Sequence, residues 1–228
     1  MTGALHYLGA RAAGVPSRVL AVLLPGFVAR IPDGSRPGHP KLYLTFDDGP
    51  TRGHTEALLQ TLERYRAKAT FFLTTSNAAH QAPLTRAIAS AGHAIATHGH
   101  SHGDPWRRSM KDLDDDLQMS IETIREITGT EPQWYRPPYG HVRPSILQLA
   151  DRLGLAVAGW DVMPGDFGAF ASRERVVRTT VRSVRPGSIV VLHDNAEVAS
   201  TGVTRAALDT ILDTLGDQGW RFSALPTS

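Results

Sequence analysis

The stretch Lys41-Leu42-Tyr43-Leu44-Thr45-Phe46, followed at once by Asp47-Asp48-Gly49-Pro50, introduces the pattern of most of the chain. A short run of apolar, aromatic and β-branched residues that ends at polar residues, glycine and proline is typical of a buried strand leading into a turn. Six later runs have the same character and span residues 69–73, 93–97, 133–135, 155–160, 188–192 and 220–225. We therefore predict seven strands, the first over residues 41–46.

Longer segments with helical periodicity lie between these runs. They span residues 54–66, 83–91, 110–128, 144–153, 172–184 and 203–217. Gly92, Gly129 and Gly154 stand where a helix commonly ends in a left-handed glycine. This alternation predicts an α/β fold with a parallel sheet that forms a closed or nearly closed, TIM-barrel-like (β/α) barrel of about seven strands, one unit short of the usual eight. An open, doubly wound sheet is the alternative.

Residues 1–40 differ from the rest and are predicted to form an N-terminal helical appendage to one catalytic domain over residues 41–228. Their apolar run, residues 19–24, is broken by Pro25 and Gly26, so it falls short of the roughly 20 apolar residues of a membrane span. We expect no transmembrane segment. No convincing cleavage site follows the run, and contact with a membrane surface or a degenerate export signal are alternatives that leave the location of the protein open.

The composition excludes several classes of site. The 228 residues include ten histidines and no cysteine, so a disulfide framework, a thiolate zinc site, an iron–sulfur cluster and a cysteine nucleophile are excluded. A net charge of +2 gives no reason to expect a nucleic-acid partner. Any bound metal must therefore be held by histidine and carboxylate side chains.

Side chains suited to catalysis follow the predicted strands at their carboxyl ends. They are Asp47, Asp48, His98, Arg136, Asp161, Asp166, His193 and Asp194. In a parallel barrel these strand ends share the face on which active sites form, so residues far apart in the sequence are expected to converge there.

Three residues predict a metal site at this face. The spacing His98-x-x-x-His102 would place two imidazoles on one face of a helical turn, and Asp48 supplies a carboxylate. Two histidines and one carboxylate form a ligand set that zinc hydrolases use, because it leaves coordination positions open for water and substrate. Consecutive side chains at a strand end point to opposite sides, so Asp47 cannot easily bind the same ion as Asp48 and is free to act as a base. A polar loop with solvated imidazoles is the alternative for residues 98–102.

Five segments, taken in order, resemble the motifs of the polysaccharide deacetylases, the NodB homology domain of carbohydrate esterase family 4. They are TFDDGP at residues 45–50, HGHSH at 98–102, RPPYG at 136–140, WDVMPGDF at 160–167 and LHD at 192–194. The resemblance covers roughly residues 41–225. It implies a distorted (β/α) barrel and a hydrolase that removes acetyl groups from an N-acetylated glycan such as a chitin oligomer or peptidoglycan.

The resemblance also implies one divalent metal ion, most often zinc, with cobalt, nickel or manganese as alternatives. Asp48, His98 and His102 would hold the metal. Asp47 would be the general base that takes a proton from the attacking water, and His193 would be the general acid that protonates the departing amine.

Supporting roles follow from the same comparison. Arg136 would pair with Asp47 and fix its orientation. Asp166 would pair with His193 and raise the pKa of its imidazole, so that the ring carries the proton that an acid must donate. Asp161 is an alternative partner for His193.

The remaining expected contacts concern the substrate. The backbone N–H of Tyr139, in a turn shaped by Pro138, would stabilise the oxyanion. Phe167 would form an apolar wall of the substrate site. The family usually has aspartate and tryptophan where this chain has Met163 and Phe167, so the substrate contacts are expected to differ from the common pattern.

Three other functions are compatible with parts of the sequence. The same fold and metal could hydrolyse a non-sugar amide or imide. A catalytically silent glycan-binding module is a second possibility, against which the intact Asp47 and His193 argue. A non-haem Fe(II) oxygenase also uses two histidines and a carboxylate, but in the order His-x-Asp…His and on an all-β fold. The sequence gives no indication of oligomeric state.

Overall fold

The computed structural model describes residues 24–32, 38–195 and 202–227. The strands in these ranges are β1 (Phe27–Val28), β2 (Lys41–Asp47), β3 (Thr70–Leu73), β4 (Ala94–Thr97), β5 (Trp134–Tyr135), β6 (Ala156–Ala158), β7 (Ile189–His193) and β8 (Arg221–Ser223). The helices are α1 (His54–Arg64), α2 (Thr75–His80), α3 (Ala82–Ser90), α4 (Met110–Thr128), α5 (Pro144–Arg152), α6 (Arg173–Ser183) and α7 (Val203–Asp217). Every strand and helix predicted within residues 41–228 is present, and β1 and α2 are additional.

The strands form one curled sheet in the order β1-β6-β5-β4-β3-β2-β7, with β8 beside β2. All adjacent strands in it are parallel. Two isolated bridges join the β7 side of the sheet to its other side. One pairs Val190 of β7 with Val162, and the other pairs Ser188, just before β7, with Arg30. These bridges close the curl into a distorted (β/α) barrel, which confirms the predicted fold and excludes the open sheet.

The described part of the N-terminal segment differs from the prediction, because Phe27 and Val28 form a strand of the barrel rather than a helical appendage. They pair with Val157 and Ala158 of β6. The Phe27 ring also fills the space beside Gly159, where a Cβ atom would collide with it. A run of two strand residues is too short to show a period in the sequence. The helix predicted for the rest of residues 1–40 falls mainly on residues 1–23, outside the described ranges.

The two faces of β2 explain how the barrel presents its site. Leu42, Leu44 and Phe46 are fully buried in the layer between the sheet and the helices. Tyr43 lies on the other face, in the barrel interior. Because strand residues alternate between faces, Asp47 follows Tyr43 on the interior side and reaches the mouth of the barrel.

Among the helices in the described ranges, none is long and apolar enough to cross a membrane.

Candidate active site

The carboxyl ends of neighbouring strands bring the predicted residues together. Asp47 at the end of β2 is the register partner of His193 at the end of β7. His98 directly follows β4 and Arg136 directly follows β5, and these two strands are also paired. Four side chains that are far apart in the sequence therefore meet at one mouth, as expected for a parallel barrel.

Asp48, His98 and His102 form a convergent set of metal donors, since their ligand atoms all lie within 4.8 Å of one another. The Nε2 atoms of His102 and His98 lie 3.1 and 3.4 Å from Oδ1 of Asp48. Burial alone would raise the pKa of the Asp48 carboxyl, but the adjacent imidazoles of His102 and His98 hold it below its usual range. An ionised carboxylate and two imidazoles facing one point fit a divalent ion of the zinc class.

The tautomer of His98 also suits a ligand. Its Nδ1–H donates to the backbone carbonyl of Arg136 at 2.7 Å, so Nε2 is the unprotonated nitrogen and faces Asp48. Burial lowers the pKa of His98 to about 4, which keeps the ring neutral. A histidine whose second nitrogen donates to a carbonyl has the fixed orientation of a metal ligand.

The segment from His98 to His102 is a bent loop rather than the helical turn that the spacing suggested. Gly99 and His102 both adopt positive φ angles, of 87° and 53°. Asp116 of α4 holds the loop, because its carboxylate accepts the backbone N–H of His100 at 2.7 Å and the hydroxyl of Ser101 at 3.1 Å. The two imidazoles share a site because of these backbone turns.

Asp47 and Arg136 form a buried ion pair beside the metal donors. The Nη1 atom of Arg136 lies 2.6 Å from Oδ1 of Asp47 and also donates to the Thr45 hydroxyl. Its Nη2 atom donates to the carbonyl of Gly159, and the guanidinium lies 4.0 Å from the ring centroid of Phe72. Arg136 has no exposed surface, so these contacts hold the Asp47 carboxylate in one orientation.

His193 contacts Asp166 and not Asp161. The Asp166 carboxylate accepts from Nδ1 of His193 at 2.9 Å, from the backbone N–H of His193 and from the Thr204 hydroxyl. Asp161 instead accepts from the backbone N–H of Ile189 at the start of β7. Burial opposes protonation of His193, but the charge and hydrogen bond of Asp166 outweigh it and raise the pKa of the ring to about 9.

The turn at Pro138–Gly140 lies against the metal donors. Tyr139 adopts a positive φ of 61°, and its ring packs edge-on against His102 at a centroid distance of 4.8 Å. Phe167 packs edge-on against His193 at 4.9 Å. These side chains and Asp47 line one pocket, with a volume of about 30 Å³, that opens at the mouth of the barrel and has room for a small substituent.

Asp194 is a buried residue that the sequence places at a strand end without indicating an individual function for it. Its carboxylate accepts from the Thr55 hydroxyl at 2.8 Å and from Nδ1 of His54 at 3.1 Å, and burial raises its pKa to about 6. Its backbone N–H donates to the carbonyl of Asp47 at 2.7 Å. Asp194 thus joins the end of β7 to the start of α1 and supports the strand end that carries Asp47.

Comparisons with known proteins agree with this geometry. Residues 34–158 match the family model described as polysaccharide deacetylase. A chitooligosaccharide deacetylase of Bradyrhizobium sp. (strain ANU 289) is 32% identical over 213 residues, which cover 89% of this chain and 97% of that protein. A crystal structure of a peptidoglycan N-acetylglucosamine deacetylase in complex with a substituted benzamide has a TM-score of 0.84 at 26% identity, covering 91% of this chain and 94% of the other.

A second similar structure shows that the fold does not by itself establish activity. It is a family 4 pseudoenzyme from Bacillus anthracis, with a TM-score of 0.78 at 24% identity, covering 88% of this chain and 68% of the other. Because active and inactive proteins share this fold, activity depends on the residues at the mouth of the barrel. The family model, the sequence relative and the architecture together establish that this chain belongs to the polysaccharide deacetylase family.

Proposed function

We propose that the protein is a zinc-dependent deacetylase that hydrolyses the N-acetyl groups of a glycan built from N-acetylglucosamine. The observation that carries the proposal is the placement of two preoriented pairs, Asp47 with Arg136 and His193 with Asp166, around the pocket that the donors His98 and His102 also line. An acid and a base on one pocket with a metal set are what amide hydrolysis needs. The pseudoenzyme alternative is disfavoured because both pairs are complete.

The small pocket suits an acetyl group, whose carbonyl carbon would lie between the base and the acid. A divalent ion held by Asp48, His98 and His102 would supply Lewis-acid polarisation of the acetyl carbonyl and lower the pKa of the attacking water. Asp47 takes the proton of that water, and the Arg136 guanidinium keeps the carboxylate pointed at it. The oxyanion that forms accepts a hydrogen bond from the backbone N–H of Tyr139. His193 then donates its proton to the nitrogen of the leaving amine.

The direct test is acetate release from chitin pentamer by the purified protein. We expect release that stops after treatment with EDTA and returns on addition of zinc, with cobalt, nickel and manganese tested in parallel. A set of small amides and imides measured under the same conditions separates glycan hydrolysis from the amide alternative. Absence of acetate from every N-acetylated glycan, with each metal supplied, would overturn the proposal.

The metal set predicts different effects for two histidines of the same loop. His102→Ala is expected to weaken zinc binding by more than about 100-fold, because losing a direct ligand costs more than the loss of an outer contact. His100→Ala is the matched control, since Nδ1 of His100 contacts the Thr75 hydroxyl and the ring is not one of the convergent donors. Zinc titration monitored by calorimetry measures both. Equal affinities for the two variants would contradict the assignment of the ligands.

The pair of His193 and Asp166 predicts a pH effect. Asp166 raises the pKa of His193 to about 9, so the acid form persists into alkaline solution and is lost as the pH rises through that value. Asp166→Asn removes the charge, and burial then favours the neutral ring, so the alkaline limb of the kcat/KM profile is expected to move to lower pH. Asp161→Asn is the control and should leave this limb in place. An alkaline limb that Asp161→Asn moves and Asp166→Asn does not would contradict the pairing.

A further inference from the structure

The loop after His102 presents a tryptophan that is both exposed and held in one orientation. Trp106 stacks on His141 with ring centroids 3.7 Å apart and an interplanar angle of 3°. Its backbone N–H donates to Oδ1 of Asp104 at 2.9 Å, and the same oxygen accepts from Nδ1 of His141 at 2.8 Å. The indole N–H donates to the carbonyl of Val142 at 3.4 Å. The Asp104 carboxylate therefore fixes the His141 ring and the backbone of Trp106, while the bond to Val142 and the stacking on His141 fix the indole.

One face of the indole is open. Trp106 is 48% exposed, whereas His141, which covers its other face, is only 8% exposed. Because His141 covers one side of the flat indole ring, only the other side faces solvent. The exposed fraction of Trp106 is close to the one half expected for a ring covered on one side. The protein thus holds an uncovered aromatic plane that has already lost its rotational freedom, which is a condition that favours binding.

The open face of the Trp106 indole lies near the reaction site. Ring contacts lead from the metal donors to it in three steps, His102 to Tyr139 at 4.8 Å, Tyr139 to His141 at 5.6 Å and His141 to Trp106 at 3.7 Å. A chain of a few linked sugar rings is long enough to cover this path. An acetyl group placed between Asp47 and His193 leaves the rest of the glycan at the mouth of the barrel, on the side where this path can begin.

The surroundings of Trp106 favour a sugar over a protein partner. Arg107 beside it has a side chain that is 83% exposed, and the carboxylate of Asp104 accepts from the backbone N–H of Trp106. The other exposed large apolar residues in the described ranges are Met119 and Phe170, at other places in the chain. An isolated aromatic ring with charged neighbours is not the contiguous apolar patch of a protein interface. It provides a flat apolar surface for the C–H face of a pyranose, with polar groups beside it for the hydroxyls.

We propose that Trp106, backed by His141, is a binding platform for a sugar ring of the same β-1,4-linked N-acetylglucosamine chain, at least two units away from the residue that loses its acetyl group. This inference rests on the proposed function and adds a preference for chain length. A dimer held at the pocket does not span the distance to the platform, and a pentamer does. The platform therefore strengthens binding of long chains selectively.

The test compares chain lengths. For the zinc-loaded wild type we expect kcat/KM to rise from chitin dimer to chitin pentamer. Trp106→Ala is expected to lower the ratio of the pentamer value to the dimer value by about three- to tenfold, which is the size of one aromatic stacking contact. Trp106→Phe keeps an aromatic plane and should retain most of the ratio. Met119→Ala, an exposed apolar residue on α4, is the control and should leave both values unchanged.

A binding measurement separates failure of the platform from failure of the proposed function. The chain has four tryptophans, of which Trp160 lines the pocket, so chitin pentamer added to EDTA-treated protein is expected to change the fluorescence more in the wild type than in Trp106→Phe. Retention of the wild-type length ratio by Trp106→Ala would overturn the platform while the deacetylase function stands. A fluorescence change that depends on Trp106, in a protein without activity, would support the platform and overturn the function. No binding of the pentamer by the wild type would overturn the platform.

Discussion

Replacing Asp47 by asparagine is expected to lower kcat for acetate release by about 10²- to 10⁴-fold, which is the usual contribution of a general base. Asparagine has nearly the same shape and still offers an oxygen to Arg136, but it accepts no proton from water. The 2.6 Å contact between Asp47 and Arg136 shows that the wild-type carboxylate is oriented by this arginine. Steady-state kinetics on chitin pentamer with saturating zinc measures the effect.

Asp48→Asn is the matched control for this variant. Asp48 belongs to the convergent donors and Asp47 does not, so the neighbouring substitution should remove both activity and metal. Asp47→Asn should retain one zinc per chain by elemental analysis while its activity is lost. If activity and metal content fell together in Asp47→Asn, Asp47 would be a ligand and not the base.

Replacing Arg136 by methionine is expected to reduce the free energy of unfolding by about 3–5 kcal/mol, the usual cost of removing one partner of a buried ion pair. The substitution leaves the buried Asp47 carboxylate without its 2.6 Å partner. It also removes the donors to the Thr45 hydroxyl and to the carbonyl of Gly159. Urea unfolding followed by circular dichroism, in the presence of EDTA, measures the change without a contribution from bound metal.

Arg152→Met provides the comparison. Arg152 also pairs with an aspartate, Asp114, at 2.7 Å, but its side chain is 59% exposed. An exposed pair of this kind is worth at most about 1 kcal/mol. The double variant Asp47→Asn, Arg136→Met should recover part of the loss, because the uncompensated buried charge is gone. Equal costs for Arg136→Met and Arg152→Met would show that the buried pair carries no special stability.

Local sequence patterns were sufficient to predict the strands from β2 to β8 and the side chains that follow them, but not the two-residue strand β1. The alternation along residues 41–47 places Asp47 at a strand end on the interior face. The pairing of Asp47 with His193 in register also needs β2 and β7 to be neighbours, and strand order is a property of the whole sheet. Family motifs supplied the partners that periodicity could not.

Other features depend on the path of loops. Asp161 and Asp166 both follow β6, and only the course of the chain past Val162 shows that Asp161 serves the backbone of β7 while Asp166 reaches His193. The contact between Trp106 and His141 joins residues 35 positions apart through a turn at Tyr139 with a positive φ. No local pattern predicts such a contact, because it depends on the packing of two loops.

The strand at Phe27–Val28 has a practical consequence for work with shortened versions of the protein. A chain started at Lys41, where the sequence pattern begins, would lack the residues that pair with Val157 and Ala158. The edge of β6 would then present unpaired backbone groups, and the space beside Gly159 that Phe27 occupies would be empty. Unpaired strand edges promote association between molecules. A truncated protein should therefore begin before Leu24 to stay monodisperse.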